Sequence, residues 1–161
     1  MTNSVVALVA DHAGFEIKNA LRAVLEEQGY APLDLGTNSA DSVDYPDMAG
    51  KLAAALQDGR AERGVMVCGT GIGIAIAANR RPWVRAAVCS DVTSARLARE
   101  HNDANVLALG ARLVGSEVAR DCLLTFLTTA FAGGRHARRV AMLSQTAEPE
   151  ATPDRATEVA L

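Results

Sequence analysis

Cys68 stands directly before Gly69-Thr70-Gly71-Ile72-Gly73, at the end of an apolar run. A thiol at such a strand-to-helix turn has its thiolate stabilised by the helix dipole and by free backbone amides. The same amides can receive an oxyanion that develops on a substrate. Three further sets have the chemistry to join it. Asp11-His12 closes the first apolar run, and His101-Asn102-Asp103 precedes the last one. Arg135 and Arg139 are four residues apart, so they share a helix face and can converge on a phosphate. Each set has an ordinary explanation as well. A strand-end cysteine is most often a small buried hydrophobe. Cys122, among Leu123, Leu124 and Phe126, reads that way, and so does Cys89. His136, among Arg135, Arg138 and Arg139, reads as part of a solvated basic face. His101 is explained equally by a helix-end cap or by a catalytic acid.

The elements around these residues alternate. Apolar, β-branched runs at 5–10, 32–35, 64–68, 84–89 and 105–109 read as strands. Between them, apolar residues recur at helical spacing. Ile17, Leu21, Val24 and Leu25 form one stripe, closed by Gly29 as a C-terminal cap. Met48, Leu52, Ala55 and Leu56 form the next, with Pro46 in its first turn and Asp47 complementing the dipole. A short helix follows the glycine loop to about Asn79. Another runs from a Ser90 or Asp91 cap to about Glu100, a long one covers 116–131, and a last one begins at Arg135. Strand–helix alternation implies parallel pairing with right-handed crossovers. The expected fold is α/β, a Rossmann-like three-layer α/β/α sandwich on a five-stranded parallel sheet. Residues 1–145 read as one domain and 146–161 as a polar, proline-containing extension, disordered or lying on a neighbour. Ligands of such sheets bind outside the carboxyl ends of the strands. Asp11-His12, Cys68 with its glycine loop, and Ser90-Asp91 all fall there. Whether the helix before the fifth strand returns His101 to that edge or leaves it at the opposite one, to serve a partner subunit, is open from sequence.

Composition narrows the function. The 161 residues carry 16 Lys+Arg against 19 Asp+Glu, a net charge of −3, which argues against nucleic-acid binding by bulk positive charge. The longest uncharged stretch, 64–79, is interrupted by four glycines and is shorter than a membrane span. No basic segment precedes the first apolar run, so no signal peptide is read. Three cysteines without a C-x-x-C pair exclude a disulfide framework and a zinc-knuckle spacing, and fit a reducing cytoplasm. A dinucleotide fingerprint needs a third glycine at position 74, which is Ile, and belongs after the first strand. A Walker loop needs Gly-Lys-Ser/Thr, which is absent. A nucleotide-binding module therefore survives only as a fold-level alternative.

Five blocks occur in order: Asp11-His12-Ala13-Gly14-Phe15, Asp44-Tyr45-Pro46, Cys68-Gly69-Thr70-Gly71-Ile72-Gly73, His101-Asn102-Asp103-Ala104-Asn105-Val106-Leu107 and Gly133-Gly134-Arg135-His136. Together they resemble the ribose-5-phosphate isomerase B / galactose-6-phosphate isomerase family, from about Val5 to Ser144. The resemblance implies an aldose–ketose isomerase of a phosphorylated sugar that works through an enediolate without metal or cofactor. It implies a homodimer or dimer of dimers whose active site is built between two subunits. Some family members carry a glutamate further along the glycine loop; Ile72, Ile74 and Ala75 here make this chain resemble the cysteine type. By position, Cys68 resembles the base that moves a proton between C2 and C1. The amides of Gly69, Thr70, Gly71, Ile72 and Gly73 resemble the enediolate cradle. His101 resembles the ring-opening acid/base, with Asp11 and Thr70 near the sugar oxygens and Tyr45 and Asn102 at substrate-binding positions. His12, Arg112, Arg135 and Arg139 match phosphate or substrate contacts. Ribose 5-phosphate is the expected substrate; allose 6-phosphate, galactose 6-phosphate and four-carbon phosphates are the alternatives.

Overall fold

The computed structural model describes residues 4–145. The expected polar tail at 146–161 lies outside them. The chain runs β1 (Val5–Ala10), α1 (Phe15–Glu27), β2 (Ala31–Asp34), α2 (Tyr45–Gln57), β3 (Arg63–Cys68), α3 (Ile72–Ala78), β4 (Ala86–Val88), α4 (Val92–Asn102), β5 (Val106–Gly110), α5 (Ser116–Thr128) and α6 (Arg135–Leu143). The five strands form one parallel sheet in the order β2-β1-β3-β5-β4. This is the expected α/β/α sandwich.

Period-two alternation within the strands feeds two cores. Val6, Leu8 and Ala10 of β1 face one side, with Leu21 and Leu25 of α1, Ala95 of α4, and Leu123 and Phe126 of α5. Ala7 and Val9 face the other, with Leu52 of α2 and Ile74 of α3. Cys122 is in the first core, and burial pushes its thiol up to about 11. Cys89 lies in the same core and its thiol is raised mainly by burial. Both are the inert, hydrophobe-like cysteines expected.

Two boundaries differ from expectation, each for a local reason. β4 is three residues long rather than 84–89, because Val84 N–H closes a turn onto Arg81 O and Arg85 N–H is taken by Asn105 Oδ1. Its free edge is also blocked: Asn79 donates to Ala86 O and accepts from Ala86 N–H. α5 stops at Thr128 rather than 131. Arg63 Nη1 donates to Phe126 O and Leu127 O, and Arg99 Nε donates to Thr129 O, so side chains satisfy the last carbonyls.

One buried ion pair crosses from α1 to β2. Lys18, 1% exposed, donates to Asp34 Oδ2, while Asp34 Oδ1 accepts from Gly36 N–H at the strand end. Removing the carboxylate strands a buried ammonium. Asp34→Ala is expected to destabilise the fold by about 3 kcal/mol, the low end for a broken buried pair because Asp34 is partly exposed. The double change Lys18→Met/Asp34→Asn removes the charge and keeps the acceptor for Gly36, so it recovers most of that loss. Urea unfolding of the two variants checks this; equal stability of Asp34→Ala and wild type contradicts it.

Candidate active site

β1 and β3 are neighbours, but the chain leaves β1 for β2 on its other side. Their carboxyl ends therefore open into a crevice at a switch in strand order. A cavity of about 460 Å³ lies there, with Asp11, His12 and Ala13 on one wall and Cys68, Gly69 and Thr70 on the other. Ile72, Gly73, Tyr45 and Arg112 complete it. Cys68 is buried at the end of β3, and Gly71 N–H donates to its Sγ at 3.1 Å. Cys68 thus lines the cavity, and its sulfur already holds one backbone donor.

The loop is fixed by close backbone packing. Gly71 has φ +77, and a Cβ there would stand 2.9 Å from Leu109 C; a Cβ on Gly110 would stand 2.7 Å from Thr70 C. Two glycines on facing segments thus let residues 69–71 lie directly on the end of β5. Ala111 N–H donates to Cys68 O and Arg112 N–H to Gly69 O, which continues the β3–β5 ladder past the strands. That places the Arg112 guanidinium over Gly69. Thr70 Oγ1 accepts from Ile72 N–H at 3.3 Å. On the opposite wall, Asp11 is buried; its N–H bonds Val67 O and its Oδ1 accepts from Gly14 N–H. His12 is exposed, and its Nδ1 accepts from Val43 N–H at 3.4 Å, tying it to the 37–44 loop. Tyr45 opens α2 with its ring against Gly73.

The second set lies at the other end of the sheet. α4 begins beyond the carboxyl end of β4, capped by Asp91 Oδ1 accepting from Ser94 N–H, a bond that holds the Asp91 carboxyl below the usual range. It runs back antiparallel to the strands and delivers His101 and Asn102 just ahead of β5. Cys68 is in register with Gly110, the last residue of β5. The whole strand, about 15 Å at 3.3 Å per residue, therefore separates Cys68 from the edge that carries His101 and Asn102. α6 packs on α4 and brings Arg135 and Arg139 to that same edge. Within one chain, the sequence-read residues thus divide in two. Asp11, His12, Tyr45, Cys68, residues 69–73 and Arg112 come together; His101, Asn102, Arg135 and Arg139 form a separate group.

Residues 6–143 match the family described as Ribose/Galactose Isomerase. The chain belongs to that family. It is 45% identical to the ribose-5-phosphate isomerase B of Escherichia coli over 135 residues, 84% of this chain and 91% of that protein. It is 40% identical to the D-erythrulose-4-phosphate isomerase of Pectobacterium atrosepticum, over 84% of this chain and 90% of the relative. A solved ribose-5-phosphate isomerase B from Clostridium thermocellum superposes with a TM-score of 0.86 at 47% identity, covering 87% of this chain and 95% of that one.

In this Ribose/Galactose Isomerase family member, two features escaped the sequence reading. Asp103 is neither free acid nor simple cap. At φ 44 it ends α4 in the left-handed region, and its carboxylate accepts from both Arg85 and Arg99 at 2.9 Å. Arg99 is buried over the Phe126 ring and also donates to Ala104 O. This brace holds the turn that carries His101 and Asn102, and the i, i+4 spacing of Arg99 and Asp103 was its one sequence signal. His136 is the second: though α6 is solvent-facing and basic around it, its ring stacks on His101. Among the described residues, no three His, Cys, Asp or Glu side chains gather as a metal site, and no helix is long and apolar enough to cross a membrane.

Proposed function

We propose that this chain is an aldose–ketose isomerase that interconverts ribose 5-phosphate and ribulose 5-phosphate, with Cys68 as the base. The observation that carries the reading is Cys68 in the wall of the crevice with a backbone amide donating to its Sγ, in a chain of this family. A proton on carbon beside a carbonyl is weakly acidic. Its removal needs a base and a fixed set of donors for the oxyanion that forms. In the open-chain aldose the Cys68 thiolate takes the C2 proton and the electron pair moves to O1, giving the enediolate. The backbone amides of residues 69–73 hold its oxygens. A proton passes from O2 to O1, and as the pair left on O2 re-forms the carbonyl the Cys68 thiol delivers its proton to C1, which yields the ketose. Thr70 and Asp11 bond sugar oxygens, and Tyr45 flanks the chain of carbons. His12 and Arg112 meet the phosphate, whose binding energy holds C1 and C2 near the sulfur.

The rest of the machinery comes from a second copy. The partner subunit's His101 opens the cyclic sugar, the partner subunit's Asn102 binds it, and the partner subunit's Arg135 and Arg139 clamp the phosphate. Several observations support a homodimer. The two halves of the site lie at opposite ends of one sheet. Apolar side chains are uncovered on elements around the free β4 edge: Ile72 and Ile76 of α3 are 52% and 62% exposed, and Val88, Val92, Met142 and Leu143 are exposed as well. A cavity of about 300 Å³ on that side is lined by Asn79, Arg85, Asn102 and Leu143. Pairing of such dimers into a dimer of dimers, and a cytoplasmic location, belong to the same reading. The enzyme needs no cofactor in this scheme, and family membership leaves the nucleotide-binding alternative without a supporting observation.

A four-carbon phosphate is the second reading for the substrate, because one relative is a D-erythrulose-4-phosphate isomerase. Carbon number separates them: one carbon more or less moves the phosphate away from its arginines or C2 away from the sulfur. A site built for five carbons is expected to prefer ribose 5-phosphate by about 10- to 200-fold in kcat/KM, the range for one methylene. A panel of erythrose 4-phosphate, ribose 5-phosphate, allose 6-phosphate and galactose 6-phosphate measures this. A higher kcat/KM for any other member replaces the ribose assignment.

A further inference from the structure

His101 and His136 form a parallel stack, with ring centroids 4.4 Å apart and planes 8° from coplanar. The two rings come from different helices, α4 and α6. No residue of α6 is buried, so little apolar packing holds that helix against α4. What locates it is the approach of the chain. Ala132 N–H donates to Glu100 O, one residue before His101. Gly133 and Gly134 then turn at φ 64 and φ 54, and His136 N–H closes onto Gly133 O. Two consecutive left-handed glycines thus aim the first turn of α6, and with it the His136 ring, at the last turn of α4. The His136 ring is held below the ordinary histidine range by desolvation first, and then by the charges of His101, Arg135 and Arg139.

We propose that His136 is a positioning residue: its stacked ring fixes the His101 imidazole in the orientation needed to open the cyclic sugar. The inference rests on the reading of His101 as the ring-opening acid/base. In that step the anomeric hydroxyl gives up its proton and the C1–O4 bond breaks. The electron pair goes to O4, which takes up a proton, while C1 and O1 become the aldehyde. One imidazole must face both oxygens in turn. An imidazole free to rotate about its side-chain bonds would meet that geometry only part of the time. Asp103 fixes the backbone below His101, but its bonds go to Arg85 and Arg99. The His101 ring itself is located by the His136 stack.

The test separates ring opening from proton transfer at carbon. Ribulose 5-phosphate cannot close to a furanose, because its C5 hydroxyl carries the phosphate. Exchange of its C1 proton with deuterium oxide therefore uses Cys68 as base and needs no ring opening by His101. Truncation by His136→Ala is expected to lower kcat for ribose 5-phosphate by about 10- to 100-fold, with KM within about twofold, and to leave C1 exchange on ribulose 5-phosphate at its wild-type rate. His136→Phe restores a stacked ring that cannot transfer protons, and is expected to recover most of kcat. An unchanged kcat in His136→Ala overturns the proposal. So does an equal loss in exchange, which would mark general damage, and so does a His136→Phe variant as slow as His136→Ala. Wild-type protein that catalyses neither reaction sinks the isomerase reading itself, a result distinct from all three.

Discussion

A Cys68→Ala variant is expected to lose about 10²- to 10⁴-fold in kcat for ribose 5-phosphate, the usual contribution of a positioned general base. KM is expected to stay close to wild type. In the proposed mechanism the thiol meets the C2 proton in the transition state, whereas ground-state binding falls to Arg112, His12, the amides of the loop and the phosphate clamp of the partner subunit. Loss from kcat alone is the mark of an interaction made only in the transition state. Deuterium exchange at C1 of ribulose 5-phosphate is expected to fall in parallel, since it uses the same base. The fold itself should barely respond. Deleting one buried sulfur removes little apolar volume, and Gly71 keeps its place through the packing of its backbone on Leu109. Steady-state kinetics and a thermal melt of the same preparation decide this. Near wild-type kcat in Cys68→Ala removes the cysteine from the base role, whatever becomes of the family assignment.

Two inactive variants are expected to repair each other. Cys68→Ala damages the crevice at the carboxyl edge, and His101→Ala damages the group at the opposite edge. In a twofold dimer each site takes one edge from each chain. A mixed dimer then has one site with both defects and one with neither. If the chains assort randomly, half of the dimers are mixed, and co-expression should restore about a quarter of wild-type activity. A site complete within one chain yields no recovery beyond the sum of the two variants. This makes complementation a sharper test of the shared site than a measurement of size, because a dimer with self-contained sites fails it.

The sequence carried the fold well, because strand and helix signals here have different periods and sharp punctuation. Gly29 ends α1 at φ 80 as a glycine cap should, and Asp91 caps α4. Where side chains from distant segments intervene, the reading went astray. Nothing near Val84 announces that Asn105 will take the Arg85 amide and shorten β4, and nothing near Thr128 announces Arg63 and Arg99 at the end of α5. The site shows the same division. Asp11, Cys68 and Arg112 meet because parallel strands send their ends to one edge, a rule that can be applied without coordinates. Which edge receives His101 depends on the length and direction of α4, and the sequence left that open. His136 was read as solvated because composition around it is basic; its partner lies 35 residues away in sequence and only the turn at Gly133-Gly134 brings them together.

The seam where the glycine loop rests on the end of β5 has a consequence for how the enzyme works. Gly71 and Gly110 let two main chains touch with no side chain between them, and the Ala111 and Arg112 amides fasten the contact. The dipoles that would face the enediolate are consequently set when the protein folds. Little reorientation is left for the moment at which negative charge appears, and the electrostatic work is done by groups that cannot relax away. Such a pocket does not require a moving flap to assemble it; in the proposed homodimer the body of the partner subunit would shield it from bulk solvent.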